Sequence, residues 1–386
     1  MITTPFEYLT ILIFIASILV YIQHKTKAKL FEYLPAIVIL YFLIMTLSSI
    51  GLWHKTAEIT QTYKVFKSNL LPAMIFLMLL QADIRKILKL GKKILLTFFL
   101  ASFSISIGFI VSFGLFHHFF KADAWKAFGA LSGSWMGGTG NMIAIQGALN
   151  IPDSDMGYVL LIDSIDYAIW VMILLSLVPF AKRFNQWVGA DNSILDTLSS
   201  SLDITGKKEE INFPSFFMIL GVALIVSLFS QELSNLMPTS NFLTKSSWVV
   251  IFATIFGILA GVTPLGKNSS APILANIMLY LIVALIASRA NFSELTQAPI
   301  YIITGFSIIL IHATIMVIFA KIFKIDLFSL GVASLANIGG VASAPILAGA
   351  YNKALIPIGV LMAMMGYIIG TFMGLGVAKI LQLIAN

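Results

Sequence analysis

A chain of 386 residues in which 59% are hydrophobic and 11% charged is too apolar for a soluble globular protein, where about a quarter of residues carry charge. Its mean hydropathy of +0.97 points to an all-α polytopic membrane protein. The net charge of +7 is not a nucleic-acid footprint, because Lys and Arg gather at the ends of apolar runs, where they set topology and meet anionic lipid head groups.

The first residues, "MITTPFEYLTILIFIASILVYIQHK", lack a basic start and place their cationic cluster after the apolar run, so they read as a retained first membrane helix rather than a cleaved signal. Apolar runs of membrane-crossing length recur near 5–22, 31–51, 66–82, 94–117, 126–150, 156–180, 213–236, 246–264, 270–288, 297–320, 328–350 and 355–383. About twelve transmembrane segments are therefore expected. They divide into a first membrane repeat (1–180), a polar linker (181–212) with a short interfacial helix over 192–203, and a second membrane repeat (213–386). With no cysteine, the chain has no disulfide, thiolate metal site or cysteine nucleophile.

The repeat is visible in two stretches. "GALSGSWMGGTGNMIAIQGALN" (129–150) aligns without gaps on "GVASLANIGGVASAPILAGAYN" (331–352), matching Gly137 with Gly339 and Gly138 with Gly340. Upstream, "LPAMIFLML" (71–79) resembles "APILANIML" (271–279), pairing Pro72 with Pro272. Each half is expected to carry one discontinuous helix at its glycine pair, since glycine in a helix costs about 1 kcal/mol against alanine and opens the backbone. Broken helices near the bilayer midplane present unpaired N–H and C=O groups to an ion or polar solute, and paired glycine-interrupted segments mark the binding site of a secondary transporter. Thr139, Asn141, Asn337 and Ser343 could add side-chain ligands. The competing reading of the glycines is close small-xxx-small helix packing.

Inverted halves would put "ADIRKILKLGKK" (82–93) and "KIFKID" (321–326) inside and "ASRANFSEL" (287–295) outside, whereas six crossings in each half would make the halves parallel. "LLIDSID" sets Asp163 and Asp166 three residues apart on one face of an apolar helix, with Tyr167 beside them. A mid-membrane acid costs at least about 2.5 kcal/mol on insertion scales and usually marks an ion or proton path. The alternative is a neutral carboxyl bonded to a neighbouring polar group. His312 reads as a satisfied packing histidine, and Gln81 and Asn276 as either solute-facing or helix-bridging.

"MGGTGN" (136–141) resembles the crossover segment of bile-acid:sodium symporters, without that segment's serine before Asn141. Together with "LLIDSIDYAIW" and "ANIGGVASAPILAGAY", it resembles the YjcL-like membrane proteins, a family of unknown function, within the superfamily of cation:proton antiporters and sodium-coupled anion transporters. The resemblance implies crossed broken helices moving against a panel domain in an elevator-like cycle, and a homodimer. It carries Gly137, Gly138, Thr139, Asn141, Asn337, Gly339, Gly340 and Ser343 over as crossover residues.

The expected function is secondary transport of a small solute, either an organic anion or a cell-wall-derived or peptide-like molecule, in a bacterial inner membrane, coupled to sodium or protons and needing no bound cofactor; the sequence does not choose among these solutes. A coupling sodium would sit near Asn141, Asp163 and Asn337. Besides a second copy of the chain, the partners expected are lipid and a small-molecule or ion substrate, with no nucleic acid. Monovalent cation/proton antiport is the alternative within transport. An intramembrane hydrolase, built on Ser132 or Ser134 with His312 or on paired aspartates, is the rival class, and the chain is not expected to be an enzyme: aspartyl chemistry needs two acids about 3 Å apart, usually from two helices.

Overall fold

The structure, a computed structural model, describes residues 2–26, 31, 35–190, 211–240, 242–291 and 298–386. The linker helix expected over 192–203 lies outside the described residues. Among the described residues, seven helical runs of 22–33 residues are long and apolar enough to cross a membrane by length and composition. Large apolar side chains such as Phe14, Phe103, Phe217 and Leu310 point outward from them, as lipid-facing residues do. The chain is an integral, multi-pass membrane protein.

In order, the helices are α1 (Pro5–Thr26), α2 (Ala36–Ser49), α3 (Ala57–Leu80), α4 (Ile84–Leu88), α5 (Gly91–Phe116), α6 (Ala124–Gly137), α7 (Thr139–Leu149), α8 (Met156–Leu177) and α9 (Ala181–Val188). The second half continues with α10 (Phe213–Asn235), α11 (Lys245–Gly261), α12 (Ala271–Ala287), α13 (Ala298–Phe323), α14 (Leu327–Ile338), α15 (Gly340–Tyr351) and α16 (Ile356–Ala385). Local chemistry sets several starts. Thr56 accepts from Ile59 N–H to open α3, Thr244 and Ser247 form a capping box on α11, and Asp326 accepts from Ser329 N–H to open α14.

Polar ties identify the two ends of the bundle. At one end Ser288, after α12, meets Tyr8 of α1 (2.5 Å), while its carbonyl accepts from Ser48 of α2 (2.8 Å) and Trp53 (3.0 Å). At the other, Lys93 of α5 faces Asp326 (4.0 Å) and Asn185 of α9 accepts from Leu327 N–H (2.8 Å). This second end gathers Arg85, Lys86, Lys89, Lys92, Lys93, Lys182, Arg183, Lys321 and Lys324, and is called the basic end below. The linker is thus not wholly solvated: its first eight residues form α9, docked on the start of α14.

The discontinuous helices do not cross the bundle. Collinear half-helices would separate Phe328 from Tyr351 by roughly 35 Å, at 1.5 Å per residue; their rings lie 5.4 Å apart. Likewise a Cβ on Gly331 would stand 3.2 Å from the Leu347 side chain, and one on Gly129 3.7 Å from Leu149. Both pairs therefore fold back as hairpins, α6–α7 entering from the end opposite the basic one and α14–α15 from the basic end. This corrects the expectation of crossover helices. Each hairpin starts and finishes at one end, so among the described residues each half has five through-running helices and one hairpin. An odd number makes the second half run opposite to the first, which removes the conflict between six crossings and inverted charge. The Pro72/Pro272 match also fails in three dimensions, since Pro72 is inside α3 whereas Pro272 opens α12.

The helices segregate into two groups. One comprises α1–α3 and α10–α12; the other comprises α5–α8 and α13–α16. They meet chiefly where α7 lies on α3 and α11. Within the second group, α6 packs on α16 through two glycine rows, Gly129, Gly133 and Gly137 against Gly366, Gly370 and Gly374. A Cβ on Gly370 would stand 2.7 Å from Gly137 Cα, and one on Gly374 2.8 Å from Gly133 Cα. The small-xxx-small reading therefore holds for α6, alongside the break that follows it.

Candidate functional site

The hairpin tips coincide with the matched glycines. Gly138 has φ +88° and Gly340 φ +58°, left-handed backbone that a side chain would strain. Gly138 caps α6, its N–H donating to Ser134 O (2.6 Å), and the chain reverses there to open α7 at Thr139. Gly339 sits where a Cβ would overlap Ser343 Oγ and the Tyr167 ring.

Both tips border a cavity of about 380 Å³, lined by Gly138–Gly140 from one hairpin and Ile338–Ala342 from the other. Asp163, Tyr167 and Tyr367 complete the wall on the hairpin side. The first group supplies the facing wall: Pro35 and Val38 near the start of α2, Met78 and Gln81 at the end of α3, and Asn276 on α12. All these segments belong to the basic half of the bundle, so the cavity lies between the tips and the basic end. A second, largely apolar cavity of about 700 Å³ adjoins it, lined by Gln23, Tyr167 and Ser343.

Among the described residues, Asp163 is the only Asp, Glu, Lys, Arg or His that borders the first cavity. Its Oδ1 accepts from Ser134 Oγ (3.1 Å) and Trp135 Nε1 (3.0 Å), both on α6. Two donors on one oxygen leave Oδ2 to whatever occupies the cavity. The first turns of α7 and α15 also border it, bringing the partial positive charge of two helix N-termini to the same space.

The other expected ligands divide. Thr139, Gly138 and the Gly339–Gly340 tip border the cavity with Asp163. Asn141 does not: its Nδ2 donates to the carbonyls of Gly137 (2.6 Å) and Gly366 (3.4 Å), and its Oδ1 accepts from Thr371 (2.6 Å). Asn337 is engaged the same way, donating to the carbonyls of Ala333 (2.9 Å) and Phe98 (3.4 Å) and accepting from Ser102 (2.7 Å). Asn141 thus covers the Gly137 carbonyl at the first tip and ties α6 to α16, while Asn337 ties α14 to α5; of the trio expected around a sodium ion only Asp163 borders the cavity. Asp166 is fully buried against α13, where a Cβ on Gly305 would overlap its Oδ2, and neither of its oxygens has a hydrogen-bond partner among the described residues. The two acids diverge because a step of three residues turns about 60° around the helix axis, enough to aim one at the cavity and the other at a neighbouring helix.

His312 is a satisfied core histidine. Its ring nitrogens lie 2.7 Å from Ser104 Oγ and 2.8 Å from Ser334 Oγ, not against Ser132 or Ser134. Sequence reasoning passed over Trp135, Tyr367, Thr371 and Gly366. The Gly366-xxx-Gly370-xxx-Gly374 row was a readable signal for the last, since it mirrors the row on α6.

Comparison with known proteins agrees with this architecture in kind. A family model described as "Protein of unknown function (DUF819)" matches residues 10–384. A curated relative, the "Uncharacterized membrane protein YjcL" of Bacillus subtilis (strain 168), is 26% identical over 335 residues, covering 81% of this chain and 82% of the relative.

Proposed function

For a chain that belongs to the DUF819 family of membrane proteins of unknown function, we propose secondary active transport by an elevator-like movement of the hairpin group against the other. The observation that carries this is the meeting of two hairpin tips, entered from opposite ends, at one cavity with a single carboxylate. In lipid an interrupted helix is tolerated only where it is buried in protein or borders a water-filled space. Two such interruptions at one place serve binding better than they serve stability.

In this reading ten helices cross the bilayer and two hairpins are re-entrant. The basic end faces the cytoplasm by the positive-inside rule, so the cavity lies on the cytoplasmic side, in a bacterial cell membrane. Asp163 holds the coupling cation, sodium or a proton. The first turns of α7 and α15 favour the anionic group of a small organic solute, and about 380 Å³ suits a molecule of modest size. The α1–α3/α10–α12 group is the stationary part, and a homodimer through its outer surface would keep it so. Monovalent cation/proton antiport is the second reading, favoured by the lone acidic side chain in the cavity. A hydrolase is disfavoured by the separate surroundings of Asp163 and Asp166 and by the partners of His312.

The test is thermal stability of the purified protein with and without sodium, for wild type and Asp163→Asn, across mildly acidic to mildly basic pH. A cation at about 100 times its Kd stabilises the folded state by about 2.7 kcal/mol. A sodium-dependent rise in Tm that the variant loses supports the cation site and opens a screen of anionic solutes. A rise that the variant keeps, or neither a sodium nor an Asp163-linked pH effect, sinks the proposal.

A further inference from the structure

Away from the cavity, at the opposite end of the bundle, the two helix groups are bound together by a compact polar cluster. Asp153, in the loop between α7 and α8, belongs to the hairpin group. Its carboxylate accepts from Tyr63 Oη (2.5 Å), Lys67 Nζ (2.7 Å) and Gln146 Nε2 (2.8 Å), and its backbone carbonyl from Tyr41 Oη (3.2 Å). Tyr41, Tyr63 and Lys67 stand on α2 and α3, in the other group. The ion pair is largely shielded, with side-chain exposures of 19% for Lys67 and 15% for Asp153. Beside it, Thr244 (3.1 Å) and Ser247 (2.8 Å) of α11 donate to the Ala148 carbonyl at the end of α7, and Ser246 donates to Asn150 Oδ1 (3.1 Å). A cavity of about 480 Å³ borders the cluster, lined by Tyr63, Lys67, Gln146 and Asn150, but it does not reach the hairpin tips. The cavities of about 380 and 700 Å³ that do reach them separate the same two groups on the basic side, where no ion pair joins the groups among the described residues.

We propose that the Asp153–Lys67–Tyr63 cluster is the closed gate of the transporter: a clamp that exists only while the cavity faces the basic end and must break before the hairpin tips can be reached from the other. The inference rests on the transport reading above. A sliding movement of one group past the other cannot preserve bonds of fixed length across their seam. A shielded charge pair is well suited to be the bond that breaks, because both of its members can be hydrated once parted, whereas apolar contacts would be exchanged for similar ones and mark no state. The carboxylate takes donors from both groups, so losing α3 leaves Gln146 as its only partner among those named and releases Lys67 to water. The gate therefore favours one state of the cycle without bonding to the solute.

The chain contains no cysteine, so a single introduced thiol can report which side reaches the tips. Thr139→Cys protein, reconstituted in vesicles, is treated with a membrane-impermeant maleimide from either face, alone and combined with Lys67→Met or Tyr63→Phe. The thiol in the otherwise unaltered chain is expected to react from both faces, slowly from the face that carries Asp153. Lys67→Met is expected to raise that slow rate about tenfold, a shift of about 1.4 kcal/mol, and Tyr63→Phe to raise it less. Exchanging the charges, Lys67→Asp with Asp153→Lys, is expected to bring the rate back toward the parent's. Equal rates in the parent and both single variants, with reaction from both faces, overturn the clamp and leave the transport reading standing. Reaction from the basic face alone in every protein overturns both. Should Lys67→Met fail to fold, Tyr63→Phe, which removes one hydroxyl, decides the matter by the same two criteria.

Discussion

Substituting Gly370 with alanine tests whether the α6–α16 seam sets the position of the first hairpin tip. The new Cβ would stand 2.7 Å from Gly137 Cα and 2.9 Å from Asn141 Nδ2, against the 3.4 Å at which ordinary contact begins. Relief requires about 0.7 Å of separation, and the obstructing atom is backbone, which cannot turn aside as a side-chain end can. Overpacking of this kind costs typically 1–3 kcal/mol. Alanine returns roughly 0.4–1 kcal/mol by restricting the unfolded chain. Gly376→Ala separates the two effects, since a Cβ there meets nothing within 4 Å on the same helix. Thermal unfolding in detergent should show Gly376→Ala unchanged or slightly raised and Gly370→Ala lowered by on the order of a few degrees. Because the displaced backbone adjoins Gly138, Gly370→Ala should also weaken the sodium-dependent stabilisation. If the two variants unfold at the same temperature and respond equally to sodium, the helices are not packed through these glycines and the account of the tip is wrong.

Trp135→Phe removes the Nε1–H that Asp163 accepts at 3.0 Å while keeping an aromatic ring; a buried hydrogen bond of this kind contributes about 0.5–3 kcal/mol, so the variant should unfold at a lower temperature without sodium, and an unchanged Tm would mean that Ser134 alone holds the carboxyl. Thr371→Val deprives Asn141 Oδ1 of its donor at nearly constant volume, and should lower stability by about 1–3 kcal/mol with the cavity unaltered; an unchanged Tm would mean that Asn141 is held by its other bonds. Asn276→Ala, on the cavity wall facing the tips, should stay within about 0.5 kcal/mol of wild-type stability yet raise the KM of solute uptake. Unchanged uptake would remove that wall from the binding site.

Much of the local structure could be read directly. Long apolar runs announce membrane helices because lipid forces a segment to satisfy its own backbone polar groups over a fixed thickness. The glycine pairs announced interruptions because Gly138 and Gly340 occupy backbone that other residues adopt only with strain. Harder to read was direction. A run of 24–26 apolar residues broken at its middle has the same composition whether its halves continue in line or fold back, and the difference lies in contacts such as Phe328 with Tyr351, 23 positions apart.

The side chains show the same division. An acid in an apolar helix signals an unusual environment, and both Asp163 and Asp166 were visible on that ground. Which of them meets the cavity depends on how far the helix is rotated against its neighbours, a property of packing that no window of sequence contains. Asn141 and Asn337 looked like ligands because amides beside a break can coordinate; in the structure Asn141 bonds the Gly137 carbonyl at its own break and Asn337 bonds Ser102 on α5, so both amides are engaged within the protein. Trp135 gave no signal, since an indole reads as core until a carboxylate from another helix is placed 3.0 Å from its N–H.

By itself the sequence determined what lipid and backbone sterics impose on each segment: an all-helical membrane chain, its interruptions at matched glycines, and buried acids on one helix. Tertiary structure alone decided that the interruptions are hairpins, that the halves run in opposite directions, that Asp163 rather than Asp166 faces the cavity, and that Asp153 is gripped from the other group. The physical reason is range. Hydropathy and φ preferences act within a few residues, whereas hairpin closure, helix rotation and the Asp153–Lys67 pair depend on groups brought together from far apart in the chain.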